Sequence, residues 1–414
     1  MTITPSEVQR RPYLDGLRGG AACMVFFSHL TIALLPAVIT FVPGEVHTRF
    51  DVPLGLSPLS ILWAGNFAVC IFFVLSGFVL SEFCRTTRIS FPAQLLRRYL
   101  RLALPVLITS TIACIIMMLG LYKNLDAAQQ VTRSGWLSLW YRGFEPGFLD
   151  VTSNSLYSVF ATGSLNYNPN LWTMEIELAG SVYVFLLHAL FRNKIVRGLV
   201  LIGFAAIHLD DYYCLFAIGA LLYELEGGLG AVCRQIFTAA SWRERFTVAG
   251  FGFGLYLGAF PFVSPGMPAD LYTWLSPSTD AVGWHKVGAV IAVAALLQSA
   301  SVQRLLGCAI GRYLGRISFI LYLIHIPIIC CLTAWVAFLM QGLYYPAVVL
   351  VAGGSTLAVV FVVATALYRY VDVNTTALSR AAGQAFDRWL PVGGARLESF
   401  FSPKVAASGP SSGP

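Results

Sequence analysis

The chain alternates between long apolar stretches and shorter polar ones. A helix that crosses a bilayer needs about 20 mostly apolar residues. Ten stretches approach or exceed that length, at about 20–41, 61–82, 102–122, 171–191, 196–209, 211–225, 247–264, 286–301, 317–340 and 346–369. The pattern predicts ten transmembrane helices. The fifth and sixth stretches are short, so a single re-entrant hairpin is an alternative for that pair.

Basic residues mark one side of this arrangement. Arginines precede the first stretch and follow every even-numbered one, as at Arg10, Arg85, Arg192 and Arg304. Cytosolic loops of membrane proteins carry such an excess of Lys and Arg. We therefore expect both termini to lie in the cytosol. A single membrane-embedded domain is expected over residues 1–380, followed by a polar, disordered tail over residues 381–414.

Composition supports an all-α integral membrane protein that crosses the bilayer many times. Hydrophobic residues make up 57% of the 414 residues and charged residues only 11%, about half of the charged fraction in soluble proteins. The net charge of +7 is explained by the basic ends of the spans, so we expect membrane lipid and no nucleic acid as a partner. The nine cysteines lack the spacing of a zinc site, and no metal is expected.

Polar residues inside apolar stretches are costly and therefore mark candidate sites. In the stretch YLDGLRGGAACMVFFSHL, Arg18 and His29 are eleven residues apart. On a helix they face the same side, separated by roughly 16 Å along the axis. Asp15 lies one turn before Arg18 and can pair with it. A packed structural histidine is the alternative interpretation.

Two further stretches combine charge with membrane depth. In RRYLRLALP, Arg97, Arg98 and Arg101 stand where the third span begins. Arg97 and Arg101 share a helical face and can grip an anionic group, although a topology signal facing lipid head groups explains them as well. In LWTMEIELAGS, Glu177 lies near the start of the fourth span. An acid at this depth is expected to pair with a base or a histidine.

A polar stripe also runs along one face of the ninth span. In SFILYLIH, Ser318, Tyr322 and His325 lie at helical spacing on one face of an otherwise apolar segment. The longest loop, at about 123–170, mixes charged, aromatic and Gly/Pro residues. It is interpreted either as a lid over a cavity or as a plain connection.

Five stretches in order resemble the signature blocks of the acyltransferase 3 family: DGLRGGAACMVFFSH, FFVLSGF, RRYLRLALP, WTMEIE and SFILYLIH. These integral-membrane enzymes move an acyl group, usually acetyl from acetyl-CoA, to a hydroxyl. Many members carry a second acid after the Trp block, whereas Leu178 follows Glu177 here. In this respect the chain is similar to a branch of filamentous fungi whose members often act in small-molecule pathways.

The resemblance implies that acetyl-CoA, or another acyl-CoA, is the co-substrate and that the acceptor is a small-molecule alcohol. His29 is then the candidate general base, because an alcohol must lose its proton as it attacks a thioester and histidine titrates near neutral pH. Glu177 is expected to orient or balance a protonated histidine. Tyr322 and His325 are expected to position the acceptor or stabilise the oxyanion.

The resemblance also assigns the phosphates of CoA to four arginines, namely Arg18, Arg97, Arg98 and Arg101. Supporting roles fall to three neighbours of these groups, namely Asp15, Trp172 and Ser318. A terpenoid or polyketide alcohol is the preferred acceptor and a carbohydrate hydroxyl the alternative. A transporter or flippase that uses the buried His, Glu and Arg side chains, or a silent membrane scaffold, are the rival functions. In a eukaryotic cell the endoplasmic reticulum or another endomembrane is the expected location.

Overall fold

The computed structural model describes residues 11–389, apart from 88, 238, 263–269, 273 and 276–280. Within these residues the chain forms helices and loops and no strand. Eight of the described helical segments are long and apolar enough to cross a membrane. The predicted all-α membrane class is thereby confirmed.

Long helices carry the fold and follow the predicted spans in order. They are α1 (Pro12–Leu34), α2 (Gly65–Thr86), α3 (Phe91–Met118), α4 (Trp172–Leu190), α5 (Lys194–Ile207), α6 (Tyr213–Ile236), α7 (Ala240–Gly258), α8 (Ala281–Gln298), α9 (Ala309–Ile328), α10 (Tyr345–Leu367) and α11 (Val373–Trp389). With 14 residues α5 is short, and α7 begins with the charged sequence SWRERF. These two helices are present but are not among the eight spanning segments, so ten spans stay a prediction.

Short helical turns fill the connections. Between α1 and α2 they are Ala37–Thr40, Pro43–Glu45, Asp51–Gly55 and Pro58–Trp63. Between α3 and α4 they are Asn124–Ala127, Ala128–Thr132, Leu137–Leu139, Phe148–Ser153, Asn154–Ser158, Val159–Thr162 and Pro169–Leu171. The others are Asp270–Tyr272, Ala300–Leu306, Ile329–Thr333, Ala334–Leu339 and Tyr368–Asp372. The longest loop is therefore mostly folded.

Several predicted boundaries shift because apolar runs mark only the lipid-facing part of a helix. α1 starts at Pro12, eight residues before the predicted span, since proline at the first position suits a helix start. Arg18 is consequently helical. α6 has 24 residues and is itself long and apolar enough to cross a membrane, which favours a span over the re-entrant alternative for that helix.

The predicted start of a disordered tail at residue 381 is wrong, because α11 continues to Trp389. Its buried stripe consists of the small residues Thr375, Ser379 and Gly383 at four-residue spacing. The stripe faces α3, where a Cβ added at Gly383 would lie 3.2 Å from the carbonyl oxygen of Ala93. Small polar residues produce no hydrophobic periodicity, which explains why the sequence pattern missed this part of the helix.

The most extensive helix contact in the described structure joins α1 and α9. A Cβ added at Gly19 would lie 2.5 Å from the backbone nitrogen of Gly315. A Cβ added at Gly315 would overlap the backbone of Asp15, and one at Gly16 would overlap the backbone of Leu306. Small residues allow helix backbones to approach this closely in a membrane. The two helices therefore touch backbone to backbone.

This contact also sets the two helices in register. The same chain separation, 296 residues, relates Gly19 to Gly315 and His29 to His325. Ten residues along each helix correspond to roughly 15 Å. Because α1 and α9 run side by side in the same direction, the glycine contact brings both histidines to the same level.

A methyl group at the glycine contact should destabilise the protein. In the Gly19→Ala variant the backbones of α1 and α9 must move apart, and overpacking of this kind costs about 1–3 kcal/mol. Gly20→Ala is the matched control, because a Cβ at Gly20 meets nothing within 4 Å and alanine favours a helix by about 0.5–1 kcal/mol. Thermal unfolding in detergent should show a lower midpoint for Gly19→Ala alone; equal midpoints would contradict the backbone contact.

Candidate active site

Two histidines meet between α1 and α9. Nδ1 of His29 lies 2.9 Å from Nε2 of His325, and Nδ1 of His325 lies 2.9 Å from the carbonyl oxygen of Leu321. A carbonyl oxygen only accepts, so Nδ1 of His325 carries the hydrogen and its Nε2 is the acceptor. Nδ1 of His29 therefore donates. In the neutral pair, Nε2 of His29 keeps a lone pair that can take a proton.

His29 is the accessible member of this pair. The His325 side chain is fully buried, whereas His29 is partly exposed. The two ring planes differ by 22° and their centroids lie 5.1 Å apart, so the rings are joined edge to edge by the hydrogen bond. Of the two rings, only that of His29 therefore has exposed surface.

Trp136, from the long loop between α3 and α4, covers one face of His29. The ring centroids are 5.1 Å apart and the planes differ by 19°. The hydroxyl of Ser134 donates to the carbonyl oxygen of Ile32 at 2.6 Å, which ties the loop to the end of α1. The loop is therefore anchored on α1, and its interpretation as a lid over a cavity stays a prediction. The sequence pattern gave no sign that Trp136 would be the residue in contact with His29.

Glu177 pairs with a base inside the bundle. Its Oε1 accepts from the guanidinium of Arg98 and, at 2.6 Å, from the hydroxyl of Ser76. Nε of Arg98 also donates to the hydroxyl of Ser181 at 3.0 Å. Of the two expected partners for Glu177, a base or a histidine, the structure shows the base. Ser76 belongs to the FFVLSGF block, so three of the sequence blocks meet here.

Arg101 is also engaged with a carboxylate. Its guanidinium donates to both oxygens of Asp372, at 2.6 and 3.1 Å. Bidentate pairs of this kind are among the stronger hydrogen-bonded contacts, so Arg101 is less available to a ligand than the sequence suggested. The charges of Arg18 and Arg101 both act on Arg98, which means that these arginines share one positive region.

Arg18 and Arg97 are held less tightly than Arg98 and Arg101. NH1 of Arg18 lies 3.8 Å from the predicted partner Asp15, and the Arg18 side chain is 35% exposed. The guanidinium of Arg97 lies over the ring of Phe83, 4.8 Å from its centroid. Neither contact holds its arginine as tightly as a bidentate pair with a carboxylate.

Tyr322 is bound to the segment that leads into α4. Its hydroxyl donates to the carbonyl oxygen of Asn170 at 2.9 Å and lies 2.7 Å from the hydroxyl of Thr173. The side-chain amide of Asn170 donates in return to the carbonyl oxygen of Tyr322. The hydrogen of the Tyr322 hydroxyl therefore already has a partner. This arrangement favours a role for Tyr322 in positioning neighbouring groups over the expected stabilisation of an oxyanion.

Pro327 interrupts the hydrogen bonding of α9 just after His325. Proline has no N–H, so the carbonyl oxygen of Leu323 lacks its usual helical donor. The buried side-chain amide of Asn168 donates to this oxygen at 2.5 Å. Sequence reasoning missed both Asn168 and Asn170. The available signal was NYNPNLW, two amides beside a proline directly before the Trp block.

The remaining candidates lie beside this site without touching the histidines. The hydroxyl of Ser318 donates to the carbonyl oxygen of Gly315 in its own helix, at 2.9 Å. The ring of Trp172 packs against Tyr212, with centroids 5.5 Å apart. Across the described residues, no three His, Cys, Asp or Glu side chains are grouped to hold a metal ion.

Comparison with known proteins identifies relatives of this chain. A family model described as an acyltransferase domain, acyltransferase 3, matches residues 11–366. The chain is 24% identical to Acyltransferase clz18 of Cochliobolus lunatus, over 78% of this chain and 83% of the relative. It is 23% identical to Acyltransferase R4 of a Phoma species, over 78% and 83%. It is 24% identical to O-acetyltransferase PaAT-1 of Phomopsis amygdali, over 77% and 72%. No solved structure matches.

Removing the Asn168 amide should destabilise the helix that carries His325. In the Asn168→Ala variant the buried carbonyl of Leu323 loses its donor, at a cost of about 1–3 kcal/mol. Pro327→Ala returns a backbone N–H to that carbonyl. A double-mutant cycle of unfolding free energies should therefore show a smaller loss for Asn168→Ala in the Pro327→Ala background. An equal loss in both backgrounds would mean that Asn168 does not replace the missing helical donor.

Proposed function

The chain belongs to the acyltransferase 3 family and is an acyltransferase, and we propose that it moves an acyl group from acyl-CoA to a hydroxyl of a small-molecule acceptor, with His29 as the general base. The observation that carries this proposal is the hydrogen-bond chain from His29 through His325 to Leu321. These two hydrogen bonds leave the lone pair on Nε2 of the accessible His29 free to take a proton. Acetyl-CoA is the proposed donor, in line with the relative named as an O-acetyltransferase.

The proposed reaction is direct transfer. Nε2 of His29 takes the hydroxyl proton as the acceptor oxygen attacks the thioester carbon. The tetrahedral intermediate then collapses, the carbon–sulfur bond breaks, and the thiolate of CoA takes the proton back from Nε2. The products are an ester and free CoA, and His29 returns to its starting state. General base catalysis of this kind contributes about 10²–10⁴-fold to the rate.

His325 is proposed as a positioning residue. While His29 carries the extra proton, its Nδ1–H continues to donate to Nε2 of His325. A hydrogen bond to a charged group stabilises by about 1.5–3 kcal/mol, so this contact favours the protonated intermediate state of His29. The hydrogen bond from Nδ1 of His325 to Leu321 holds the ring in the tautomer that can accept.

Arg18 and Arg97 are proposed to contact the phosphates of the donor. Arg18 stands roughly 16 Å before His29 along α1. The pantetheine arm of an acyl-CoA is long and extended, so a donor whose phosphates lie near Arg18 can present its thioester to His29. Arg98 and Arg101 keep their carboxylate partners, Glu177 and Asp372, so the phosphates are left to Arg18 and Arg97.

A terpenoid or polyketide alcohol of secondary metabolism is the proposed acceptor. The support is the resemblance to a fungal small-molecule branch and the fungal relatives, two of which are named simply as acyltransferases. The endoplasmic reticulum or another endomembrane is the proposed location. Both termini are proposed to be cytosolic, which the basic residues after the even-numbered spans support.

Loss of His29 should abolish transfer without loss of donor binding. Purified protein in detergent is assayed with radiolabelled acetyl-CoA and a panel of terpenoid and polyketide alcohols. His29→Ala should lower kcat by about 10²–10⁴-fold, while the Kd for acetyl-CoA stays unchanged because the arginines remain. His208→Ala is the control, since His208 pairs with Asp211 in the turn between α5 and α6. Full transfer by His29→Ala would refute the base.

Loss of Arg18 should instead weaken the binding of the donor. Arg18→Gln removes a charged contact to phosphate, so the KM for acetyl-CoA should rise about ten-fold or more, as expected for a loss of ~1.5 kcal/mol, with little change in kcat. Arg245→Gln removes the same charge from an arginine that packs on Trp242 and serves as control. An unchanged KM in Arg18→Gln, or an equal rise in both variants, would exclude a specific phosphate contact.

A further inference from the structure

Two tryptophans form an aromatic corner beside His29. We use this name for Trp136 and Trp140, whose ring centroids lie 5.8 Å apart with planes at 66°. Trp136 also stacks on His29. Both tryptophan side chains are partly exposed, so the corner presents aromatic surface directly next to the accessible histidine. Catalysis by the two histidines does not by itself require such a surface.

The loop that carries the corner is held in one conformation. The side-chain amide of Asn124 donates to the carbonyl oxygens of Leu137 and Trp140, each at 2.9 Å. On either side of the corner, Arg133 and Tyr141 adopt left-handed backbone conformations, with φ of 55° and 56°. Such conformations are uncommon for residues other than glycine and cluster at ligand clamps and active sites. The corner is therefore a built feature of the fold.

Hydrogen bonding at the corner is almost fully internal. The hydroxyl of Ser134 and the amide of Asn124 both donate to backbone carbonyls. The indole N–H of Trp140, in contrast, is buried and has no hydrogen-bond partner among the described residues. Buried donors without a partner are rare in folded proteins. An oxygen of a bound ligand would satisfy this one.

We propose that the aromatic corner is the acceptor subsite and that the acceptor is a flat, largely apolar alcohol. Its ring system lies against Trp136 and Trp140, its hydroxyl points to Nε2 of His29, and a second oxygen accepts from the indole N–H of Trp140. This inference rests on the proposed function, because it assumes that an alcohol reacts at His29. A sugar would need many polar partners, whereas the corner presents mainly aromatic rings.

Three probes test the parts of this proposal separately, namely the flat shape, the second oxygen and the low polarity of the acceptor. 7-Hydroxycoumarin is flat and carries an accepting carbonyl away from its hydroxyl, 2-naphthol is flat without that carbonyl, and methyl glucoside is polar on all sides. Equilibrium dialysis against the full chain in detergent measures the binding of each. The wild type should bind both flat probes more tightly than the glucoside. Tighter binding of the glucoside would overturn the proposal.

Variants then assign the contacts. Trp136→Ala should weaken binding of both flat probes by at least five-fold, and Trp136→Phe should restore most of it, because an aromatic face remains. Trp140→Phe should weaken 7-hydroxycoumarin only, since it removes the N–H and keeps a ring. Trp389→Ala, at an exposed tryptophan in α11, should leave all affinities unchanged. Equal binding by the wild type and all variants would refute the subsite.

The same variants distinguish failure of the subsite from failure of the catalytic proposal. If His29→Ala loses transfer while the corner variants bind every probe like the wild type, His29 is the base and the acceptor lies elsewhere. If the corner binds the flat probes as expected while His29→Ala keeps full transfer, the subsite stands and the base assignment fails. Among the corner variants the KM for acetyl-CoA should not change, because the arginines lie elsewhere on the helices.

Discussion

The backbone contact between α1 and α9 is the constraint on which the site depends. At Gly19 and Gly315 no side chain separates the helices, so their axes approach closely and their register cannot slide. Ten residues further along, the same register joins His29 to His325. A bulkier residue at the contact would separate the helices and lengthen a hydrogen bond that determines which nitrogen of His29 is free. Packing at the glycines thus sets the hydrogen bonding of the histidines ten residues further along both helices.

Much of the fold could be predicted from the sequence, because apolar runs and basic flanks report directly on a lipid environment. Helical periodicity also placed Arg18 and His29 on one face. Periodicity describes a single helix, however, and does not say which helix lies opposite. For that reason the sequence left open whether Glu177 pairs with a base or with a histidine: its partner is the base Arg98, and the neighbour of His29 is His325.

Residues in loops were the least predictable part of the site. Trp136 reaches His29 only because its loop folds back on α1, and loop paths follow from many local hydrogen bonds that no periodic pattern records. Asn168 is a similar case, since its importance arises from a proline more than 150 residues away in the chain. Trp136 and Asn168 belong to the same loop between α3 and α4, and both contact the helices of the histidine pair, one by stacking on His29 and one by a hydrogen bond to α9.

The ion pair between Arg101 and Asp372 extends the part of the chain that must fold together. The matched acyltransferase region ends at residue 366, whereas the carboxylate that neutralises Arg101 comes from the turn between α10 and α11. A protein cut at the end of the matched region would keep every sequence block and still leave the charge of Arg101 without its carboxylate partner. The boundary defined by similarity and the boundary required by charge balance are therefore different.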